Sequence, residues 1–345
     1  MVIPGGHVEK IIILQRKIAP DLVAVVEERY NILKHIQYAQ PIGRRALAAV
    51  LGMSERVVRA DVEFLKDAGL VEFSGLGMSV TEDGHNLIAD LAQYVGILHG
   101  LSKLESTLAE QLGIRQVIIV PGDSQTDQAV LRELGRTAAG VLTEYLQDNM
   151  IIAVSGGSTM ARVAETVNVM LPSVTVVPAR GGLGEQVEYQ ANIIAAVMAT
   201  KLGGRYRLLH IPDGMNEEAL DAVMASDVNV AEIADMIKHA DILIHGIGDA
   251  NTMARRRSHE ADTIGFIVDN CVGEAWGHYF SLNGECIYTT NSVGFRLDDL
   301  AKVGKVIAVA GGRHKAEAIV AVTRAGSQDV LVIDEAAARA IQSII

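Results

Sequence analysis

Cysteine is scarce in this chain of 345 residues, which has only Cys271 and Cys286. The two do not form a CxxC pair, so neither a disulfide framework nor a metal site is expected, and such scarcity is typical of the reducing cytosol. Long apolar runs are also missing. Residues 11–14 form a short apolar run between Lys10 and Arg16, far too short to cross a bilayer. We therefore expect a cytoplasmic protein without a membrane segment.

Nucleotide-binding motifs are absent as well, since there is no GxxxxGK[ST] sequence and no GxGxxG sequence that opens a helix after a strand. The net charge of −12 argues against nucleic acid as a partner, but the total conceals a local reversal. Residues 29–66 carry seven basic and three acidic side chains. A basic segment in an acidic chain is typical of a DNA-binding module joined to another domain, although an ordinary solvated face has the same charge pattern.

The N-terminal segment has the periodicity of three short helices. The first covers about residues 21–39, the second ends at Gly52, and Ser54 is a suitable N-cap for the third. Residues 70–80 then alternate apolar and polar side chains around two glycines, which predicts a β-hairpin. This order predicts a winged helix-turn-helix. A three-helix domain that binds protein is the alternative.

Basic and hydroxyl side chains around the third helix are candidate DNA contacts. The start of such a recognition helix enters the major groove, where arginine pairs with guanine edges. The candidate DNA-binding residues are Arg44, Arg45, Ser54, Arg56 and Arg59.

Residues 86–112 are predicted to form a linker helix between a DNA-binding domain, residues 1–85, and an effector domain, residues 113–345. Apolar residues, Tyr94 and a series of leucines, recur there at steps of three and four, as along the seam of a coiled coil, while Gly96 and Gly100 interrupt the pattern. Both a dimerising helix and a helix packed on its own effector domain fit this pattern.

From residue 113 onward, short apolar strands alternate with helices, which predicts a Rossmann-like, doubly wound α/β domain. The predicted strands cover residues 117–120, 151–154, 174–177, 208–211, 242–244, 306–309 and 330–333. Ligands of such sheets bind beyond the carboxyl ends of the strands. Four glycine-rich loops with hydroxyl or cationic side chains follow strands, at residues 155–159, 178–185, 245–249 and 310–315. They predict an anionic, hydroxyl-rich ligand, and a phosphosugar is favoured over a nucleotide.

These loops together resemble those of a known family, the SorC-type sugar-binding transcriptional regulators. The resemblance is strongest to members that repress glycolytic operons in Gram-positive bacteria, and it covers nearly the whole chain. The matching sequences are Gly156-Gly-Ser-Thr159, Pro178-Ala-Arg-Gly-Gly-Leu-Gly-Glu185, His245-Gly-Ile-Gly248, Met253-Ala-Arg-Arg-Arg257, Ala310-Gly-Gly-Arg-His-Lys-Ala-Glu-Ala318, Pro41-Ile-Gly-Arg-Arg45 and Ser54-Glu-Arg-Val57.

The resemblance implies a repressor of a glycolytic operon that is relieved by fructose-1,6-bisphosphate. It also implies an effector domain with the fold of ribose-5-phosphate isomerase and glucosamine-6-phosphate deaminase. The implied partners are operator DNA, a phosphosugar and further copies of the chain in a dimer or tetramer, without a cofactor or catalytic residues. The implied ligand contacts are Gly156, Gly157, Ser158, Thr159, Arg180, Gln190, Arg256, Arg257, Glu274 and Lys315.

An isomerase or deaminase of the same fold is the rival interpretation, and it requires a general base close to the reacting carbon of the sugar. Glu185 and Asp249 are the carboxylates in the glycine loops, and neither has a partner histidine or nucleophile at a recognisable spacing. His245 is interpreted as a strand-end histidine rather than a catalyst. Since a winged helix has no evident use in an isomerase, the sequence favours a sensor.

Overall fold

The structure, a computed structural model, describes residues 5–182, 186–257, 260–326 and 328–345. The chain divides into two compact units, Met1–Lys103 and Leu104–Ile345. Separate clusters of buried apolar side chains form the cores of the two units. Each unit therefore has the internal packing of a domain.

The first unit is a set of helices around one hairpin. Its elements are α1 (Gly5–Ile18), α2 (Pro20–Ala39), α3 (Arg44–Leu51), α4 (Glu55–Asp67), β1 (Val71–Ser74), β2 (Gly77–Val80) and α5 (Glu82–Leu98). The order from α2 to β2 is that of the predicted winged helix-turn-helix. Helix α1 was not predicted, because a four-residue apolar run is too short to indicate a helix of this length.

The corner between α3 and α4 forms where the sequence places it. Helix α3 ends at Gly52, which has a left-handed φ of 63°. The Ser54 hydroxyl then accepts a hydrogen bond from the Val57 amide and caps α4. The side chains that α4 buries are Val58, Val62 and Leu65. The predicted turn and the helix that follows it are thus confirmed.

The hairpin β1–β2 is antiparallel and ends in a tight turn, as expected for a wing. Ile42, in the connection from α2 to α3, pairs with Met78 of β2 and extends this small sheet. The Ile42 amide and carbonyl both exchange hydrogen bonds with Met78. The hairpin is therefore tied to the helices by backbone pairing as well as by the shared core.

The segment predicted as one linker helix forms two helices in the structure. Helix α5 ends at Leu98, and α6 (Leu101–Leu112) begins after Gly100, whose φ is 70°. Gly96, by contrast, lies inside α5. The structure thus differs from the prediction of one continuous helix over residues 86–112, because Gly100 has a left-handed conformation that ends the run of helical residues.

The second unit continues with alternating strands and helices. Its elements after α6 are β3 (Gln116–Val120), α7 (Gln128–Tyr145), β4 (Ile151–Val154), α8 (Ser158–Thr166), β5 (Thr175–Pro178), α9 (Ala191–Leu202), β6 (Arg205–Tyr206), α10 (Glu217–Ser226), α11 (Val228–Lys238), β7 (Ile242–Gly246), β8 (Gly248–Asp249), α12 (Ala250–Arg256), α13 (Ala261–Asn270), β9 (Gly273–Ala275), β10 (His278–Phe280), β11 (Cys286–Thr289), β12 (Lys305–Ala310), α14 (Ala316–Ala325), β13 (Val330–Asp334) and α15 (Glu335–Gln342). Short 3-10 helices cover Val187–Tyr189, Leu297–Lys302 and Arg313–Lys315.

Seven parallel strands form the main sheet of this unit, in the order β3-β13-β12-β7-β4-β5-β6. The chain proceeds towards one edge from β4 to β6 and in the opposite direction from β7 through β12 to β13. The direction reverses between β4 and β7, where the loops beyond two neighbouring strands diverge and leave a crevice for a ligand. The predicted doubly wound α/β sheet is confirmed.

One predicted strand, over residues 208–211, is wrong. The edge strand is instead Arg205–Tyr206, and the following residues are irregular although Leu209 and Ile211 are buried. The Asn192 side chain explains the difference, because it donates to the Leu209 carbonyl and accepts from the Leu209 amide, both at 3.0 Å. A side-chain amide thus satisfies backbone groups that a strand would have paired.

A second, antiparallel sheet in the order β11-β10-β9-β8 was not predicted. Its strands have two to four residues each, too few for an alternating pattern to be recognised. The hairpin β9–β10 brings Glu274 to the crevice. Across the described ranges, no helix has both the length and the apolar character that a bilayer-spanning segment needs.

Candidate functional site

A cavity lies beyond the carboxyl ends of the strands, beside the point where the strand order reverses. The loops after β4, β5, β7 and β12 all contribute to its wall, as does the β9–β10 hairpin. The predicted ligand residues that line it are Gly156, Gly157, Ser158, Thr159, Arg180, Gln190, Arg256, Arg257, Glu274 and Lys315. The structure therefore brings all ten of them together.

The loop after β4 forms a wall of this cavity and leads directly into α8. Gly157 is the N-cap residue, and no described side chain caps this helix, so the first amides of α8 are available to an anion. Gly156 lies against the backbone of Tyr189, and a Cβ at residue 156 would stand only 2.8 Å from the Tyr189 carbonyl oxygen. Glycine is therefore required at this position. Ser158 and Thr159 add hydroxyl groups to the same wall.

Four buried charges form a second part of the wall. Arg180 Nη2 lies 2.6 Å from Asp213 Oδ2, and Arg257 Nη2 lies 2.5 Å from Glu274 Oε1. The crossed pairs are longer, at 3.6 Å between Arg180 and Glu274 and 3.7 Å between Arg257 and Asp213. All four side chains are only 3–5% exposed. Two guanidinium groups and two carboxylates balance each other, which offsets the cost of burying each charge.

The two arginines of this cluster retain donors for a ligand. Burial lowers the pKa of Arg180, and the nearby charge of Arg257 lowers it further, while Asp213 and Glu274 act in the opposite direction. Among the described residues, Nε of Arg180 and both Nε and Nη1 of Arg257 have no hydrogen-bond acceptor. Since buried donors are costly when unpaired, these groups favour a ligand with oxygen acceptors.

Asp213 is a member of the cluster that the sequence analysis missed. It lies in the irregular segment after β6, where its Oδ1 accepts a hydrogen bond of 2.5 Å from the Ser292 hydroxyl. Its amide donates to the Gly182 carbonyl at 3.0 Å. No motif marks this residue. The available signal was the imbalance between three implied arginine contacts, Arg180, Arg256 and Arg257, and a single implied carboxylate, Glu274.

Lys315 reaches the cavity from the 3-10 helix that follows β12. Asp334, which is fully buried, holds this turn, because its Oδ2 accepts from the Gly312 amide at 2.7 Å and from the amide and hydroxyl of Ser124 at 2.8 and 2.6 Å. Burial lowers the pKa of Lys315, and the Asp334 carboxylate opposes this shift while Arg256 adds to it. Asp334 was also missed, since its role depends on contacts between distant segments.

Two of the three residues considered as catalysts, His245 and Asp249, have structural partners in the fold. His245 is buried, with Nε2 2.9 Å from Gln328 Oε1, and its pKa is lowered by burial. Asp249 caps the start of α12, and Glu185 lies outside the described residues. Neither His245 nor Asp249 is among the described residues that line the cavity. In the described ranges, no group of three or more histidine, cysteine or carboxylate side chains is placed to hold a metal ion.

The predicted DNA contacts lie around the corner between α3 and α4. Arg44 and Arg45 begin α3, and Arg56 and Arg59 lie in the first half of α4. Arg59 Nε is 2.9 Å from Glu63 Oε1, yet the Arg59 side chain is 64% exposed and that of Arg45 is 92% exposed. These arginines can exchange weak surface ion pairs for phosphate or base contacts.

Two family profiles match the chain. Residues 25–95 match the "CggR N-terminal DNA binding domain", and residues 98–343 match the "Putative sugar-binding domain". The chain is 44% identical to the Central glycolytic genes regulator of Bacillus subtilis, with 94% of this chain and 96% of that protein aligned. The protein of the same name from Priestia megaterium is 43% identical, again with 94% of this chain and 96% of that protein aligned.

Solved structures of regulators are similar to this chain in fold. A crystal structure described as a "putative SorC family transcriptional regulator" from Enterococcus faecalis is 37% identical, with a TM-score of 0.65 over 70% of this chain and 99% of that one. The full-length sorbitol operon regulator SorC from Klebsiella pneumoniae has a TM-score of 0.63 over 93% of this chain and 98% of its own. At 17% identity, that second likeness concerns the fold alone. The relatives are regulators, which confirms the preference for a regulator over an enzyme.

Proposed function

The chain belongs to the SorC-type family of sugar-binding transcriptional regulators, and from this premise we propose that it represses a glycolytic operon in the cytoplasm and releases its operator on binding fructose-1,6-bisphosphate. The observation that carries this proposal is the convergence of four glycine-rich loops on one cavity at the reversal of the strand order. Its residues offer both anion-binding and hydroxyl-binding groups.

A bisphosphorylated sugar suits the chemistry of this cavity. The amides at the start of α8 and the hydroxyls of Ser158 and Thr159 offer one phosphate site. Arg256 and Lys315 add positive charge for the same phosphate or the other one. Gln190 and Glu274 line the cavity with amide and carboxylate groups, which can form hydrogen bonds with sugar hydroxyls. We propose the ten lining residues of the sequence analysis as the effector contacts, and we leave the order of the two phosphates open.

The operator contacts in this proposal are made by the first unit, with residues 1–85 as its DNA-binding domain, residues 86–112 as linker and residues 113–345 as effector domain. The proposed contacts are Arg44, Arg45, Ser54, Arg56 and Arg59. A two-fold-symmetric operator requires at least a homodimer, so we propose that the repressor acts as a dimer or tetramer.

Effector and operator are coupled in this proposal through two states of the protein. Fructose-1,6-bisphosphate must bind the state with weak DNA affinity more tightly than the state with strong DNA affinity, because a ligand shifts an equilibrium only by its differential affinity. By linkage, operator DNA then weakens effector binding by the same factor, on the order of 10–100-fold. An effector affinity that operator DNA leaves unchanged would contradict this coupling.

The test is an anisotropy titration of labelled operator DNA with the full chain, in the presence of a panel of phosphosugars. Fructose-1,6-bisphosphate is expected to release the DNA from the wild type. Lys315→Ala should bind the operator as the wild type does, but should need about tenfold more effector for release, because a charged phosphate contact is lost.

Arg313→Ala is the matched control for this titration, because Arg313 is a neighbouring cation that is exposed and lies outside the described lining of the cavity. It is expected to respond like the wild type. An unaltered response of Lys315→Ala, or conversion of the sugar to a product, would contradict the proposal.

A further inference from the structure

The only tryptophan of the chain lies in the wall of the cavity. Trp276 is 5% exposed, and its indole Nε1 has no hydrogen-bond acceptor among the described residues. Neither the motifs nor the family resemblance points to this residue. A buried N–H group without an acceptor costs free energy, and a binding site is a place where a ligand can remove that cost.

The backbone of Trp276 is held in a conformation that tryptophan rarely adopts. The hairpin β9–β10 pairs Ala275 with His278, which leaves a loop of two residues, Trp276 and Gly277. Their φ angles are 37° and 94°. Positive φ at both positions is typical of a type I′ turn, in which asparagine, aspartate or glycine is preferred at the first position. A tryptophan there carries backbone strain, and such strain is concentrated at functional sites.

The surroundings of the turn fix the position of the indole. The Trp276 ring packs edge to face on His245, with 4.3 Å between the ring centroids. The Gly277 amide donates to Glu274 Oε1 at 2.6 Å. Gly277 also lies so close to Arg180 that a Cβ would clash with the guanidinium group. The turn, and with it the indole, is therefore anchored to two members of the buried charge cluster.

The neighbouring Glu274 carboxylate indicates which part of a ligand comes close to Trp276. The charges of Arg180 and Arg257 are already balanced by Asp213 and Glu274, so this part of the wall has no excess positive charge to hold a phosphate. A sugar hydroxyl, by contrast, can donate to the Glu274 carboxylate and accept from the indole at the same time. We propose that Trp276 is an effector-binding residue whose indole N–H donates to an oxygen of the hydroxyl-bearing part of the sugar. This inference rests on the proposed phosphosugar effector and assigns it a further contact.

The first experiment measures the intrinsic tryptophan fluorescence of the full chain. Trp276 is its only source, because the chain has a single tryptophan. Titration with fructose-1,6-bisphosphate is expected to shift or quench the emission, with the same midpoint as the heat measured by calorimetry. Emission that stays unchanged while calorimetry records saturable binding would overturn the inference and leave the proposed function intact. Absence of any heat with the whole phosphosugar panel would overturn both.

The second experiment compares the wild type with Trp276→Phe, which keeps an aromatic ring and removes the donor. Calorimetry is expected to show an affinity for fructose-1,6-bisphosphate that is about five- to twentyfold weaker, because the variant loses one hydrogen bond and part of the ring surface that contacts the ligand. Inorganic phosphate, measured by thermal shift, probes the phosphate site alone and should stabilise both proteins equally.

Two controls separate a direct contact from a damaged fold. The melting temperature without ligand and the operator affinity of Trp276→Phe are expected to stay close to those of the wild type. If Trp276→Phe binds the bisphosphate as tightly as the wild type, or if it loses phosphate and bisphosphate binding to the same degree, the inference is wrong. The fluorescence titration of the wild type decides the question even if this variant folds poorly.

Discussion

Arginine has opposite surroundings in the two units of this protein. On α4, Arg59 is 64% exposed and forms a surface ion pair with Glu63. In the cavity, Arg180 and Arg257 are 5% and 3% exposed and each lies near two carboxylates, those of Asp213 and Glu274. An exposed charge remains solvated whether or not its partner is present, while a buried charge depends on its partner. The two sets should therefore differ in what their loss costs.

If the proposed contacts are right, the difference shows how one residue type can serve two kinds of recognition. A reader of DNA must leave its resting contacts for phosphates and bases, so weak, hydrated ion pairs suit it. A sensor of a small ligand must hold its donors in place before the ligand arrives, and a network of buried ion pairs provides that order. We therefore expect loss of an exposed arginine of the first unit to affect binding alone, and loss of a buried arginine of the cavity to affect stability as well.

The largest effect is expected for Arg180→Met. This change leaves three buried charges with an excess negative charge, so the free energy of unfolding of the second unit should fall by about 3–5 kcal/mol. Urea denaturation followed by Trp276 emission reports on this unit, because the only tryptophan lies within it. The double variant that also carries Asp213→Asn has one remaining buried pair with no net charge. It should regain at least about 1 kcal/mol of the lost free energy of unfolding. No recovery in the double variant would contradict the proposed balance of charges.

A smaller effect, confined to DNA, is expected for Arg59→Ala. Its loss should weaken operator binding by about 1–3 kcal/mol if the side chain reads a base. Since the side chain is exposed, the melting temperature measured by calorimetry should hardly change. Anisotropy with operator DNA and with random DNA of equal length, at one salt concentration, separates the two kinds of contact. An equal loss on both would show that Arg59 contacts phosphate only.

The smallest effect is expected for Glu63→Gln. Glu63 Oε1 lies 2.9 Å from Arg59 Nε and 3.8 Å from Arg44 Nη1, so under the proposed operator contacts it would compete with DNA for both arginines. Removing this negative charge should tighten operator binding by about two- to fivefold at low salt, and less at high salt, where surface charges are screened. Glu232→Gln, an exposed residue on α11, is the control for net charge. Weaker binding by Glu63→Gln would mean that Glu63 positions Arg59 instead.

Much of the fold could be predicted from local patterns. The run Ile151–Val154 is apolar because both faces of the parallel sheet are covered, and it was found as a strand for that reason. Ser54 was found as the cap of α4 because a hydroxyl before a helical pattern has a local physical role. The apolar residues 208–211 were misread, because the Asn192 side chain, which is distant in sequence, bonds the backbone there.

The candidate site also has one part that could be predicted from the sequence and one that could not. Its glycine loops could be recognised because each is a short, continuous sequence at the end of a strand. Asp213 and Asp334 lie in no motif, and their importance arises from contacts with Arg180 in one case and with Ser124 and Gly312 in the other. Such partners are chosen by the three-dimensional arrangement, since burying a charge requires an opposite charge wherever the chain can supply one.

The sequence by itself determined that this chain has a winged helix-turn-helix, a doubly wound sheet and four loops suited to an anion, because hydrophobic periodicity, caps and glycine turns act over a few residues. Only the tertiary structure decided that Arg180 and Arg257 would be neutralised by carboxylates, and that the indole N–H of Trp276 would find no acceptor among the described residues. Both outcomes depend on burial, which brings together groups far apart in the chain and removes the water that would otherwise satisfy them.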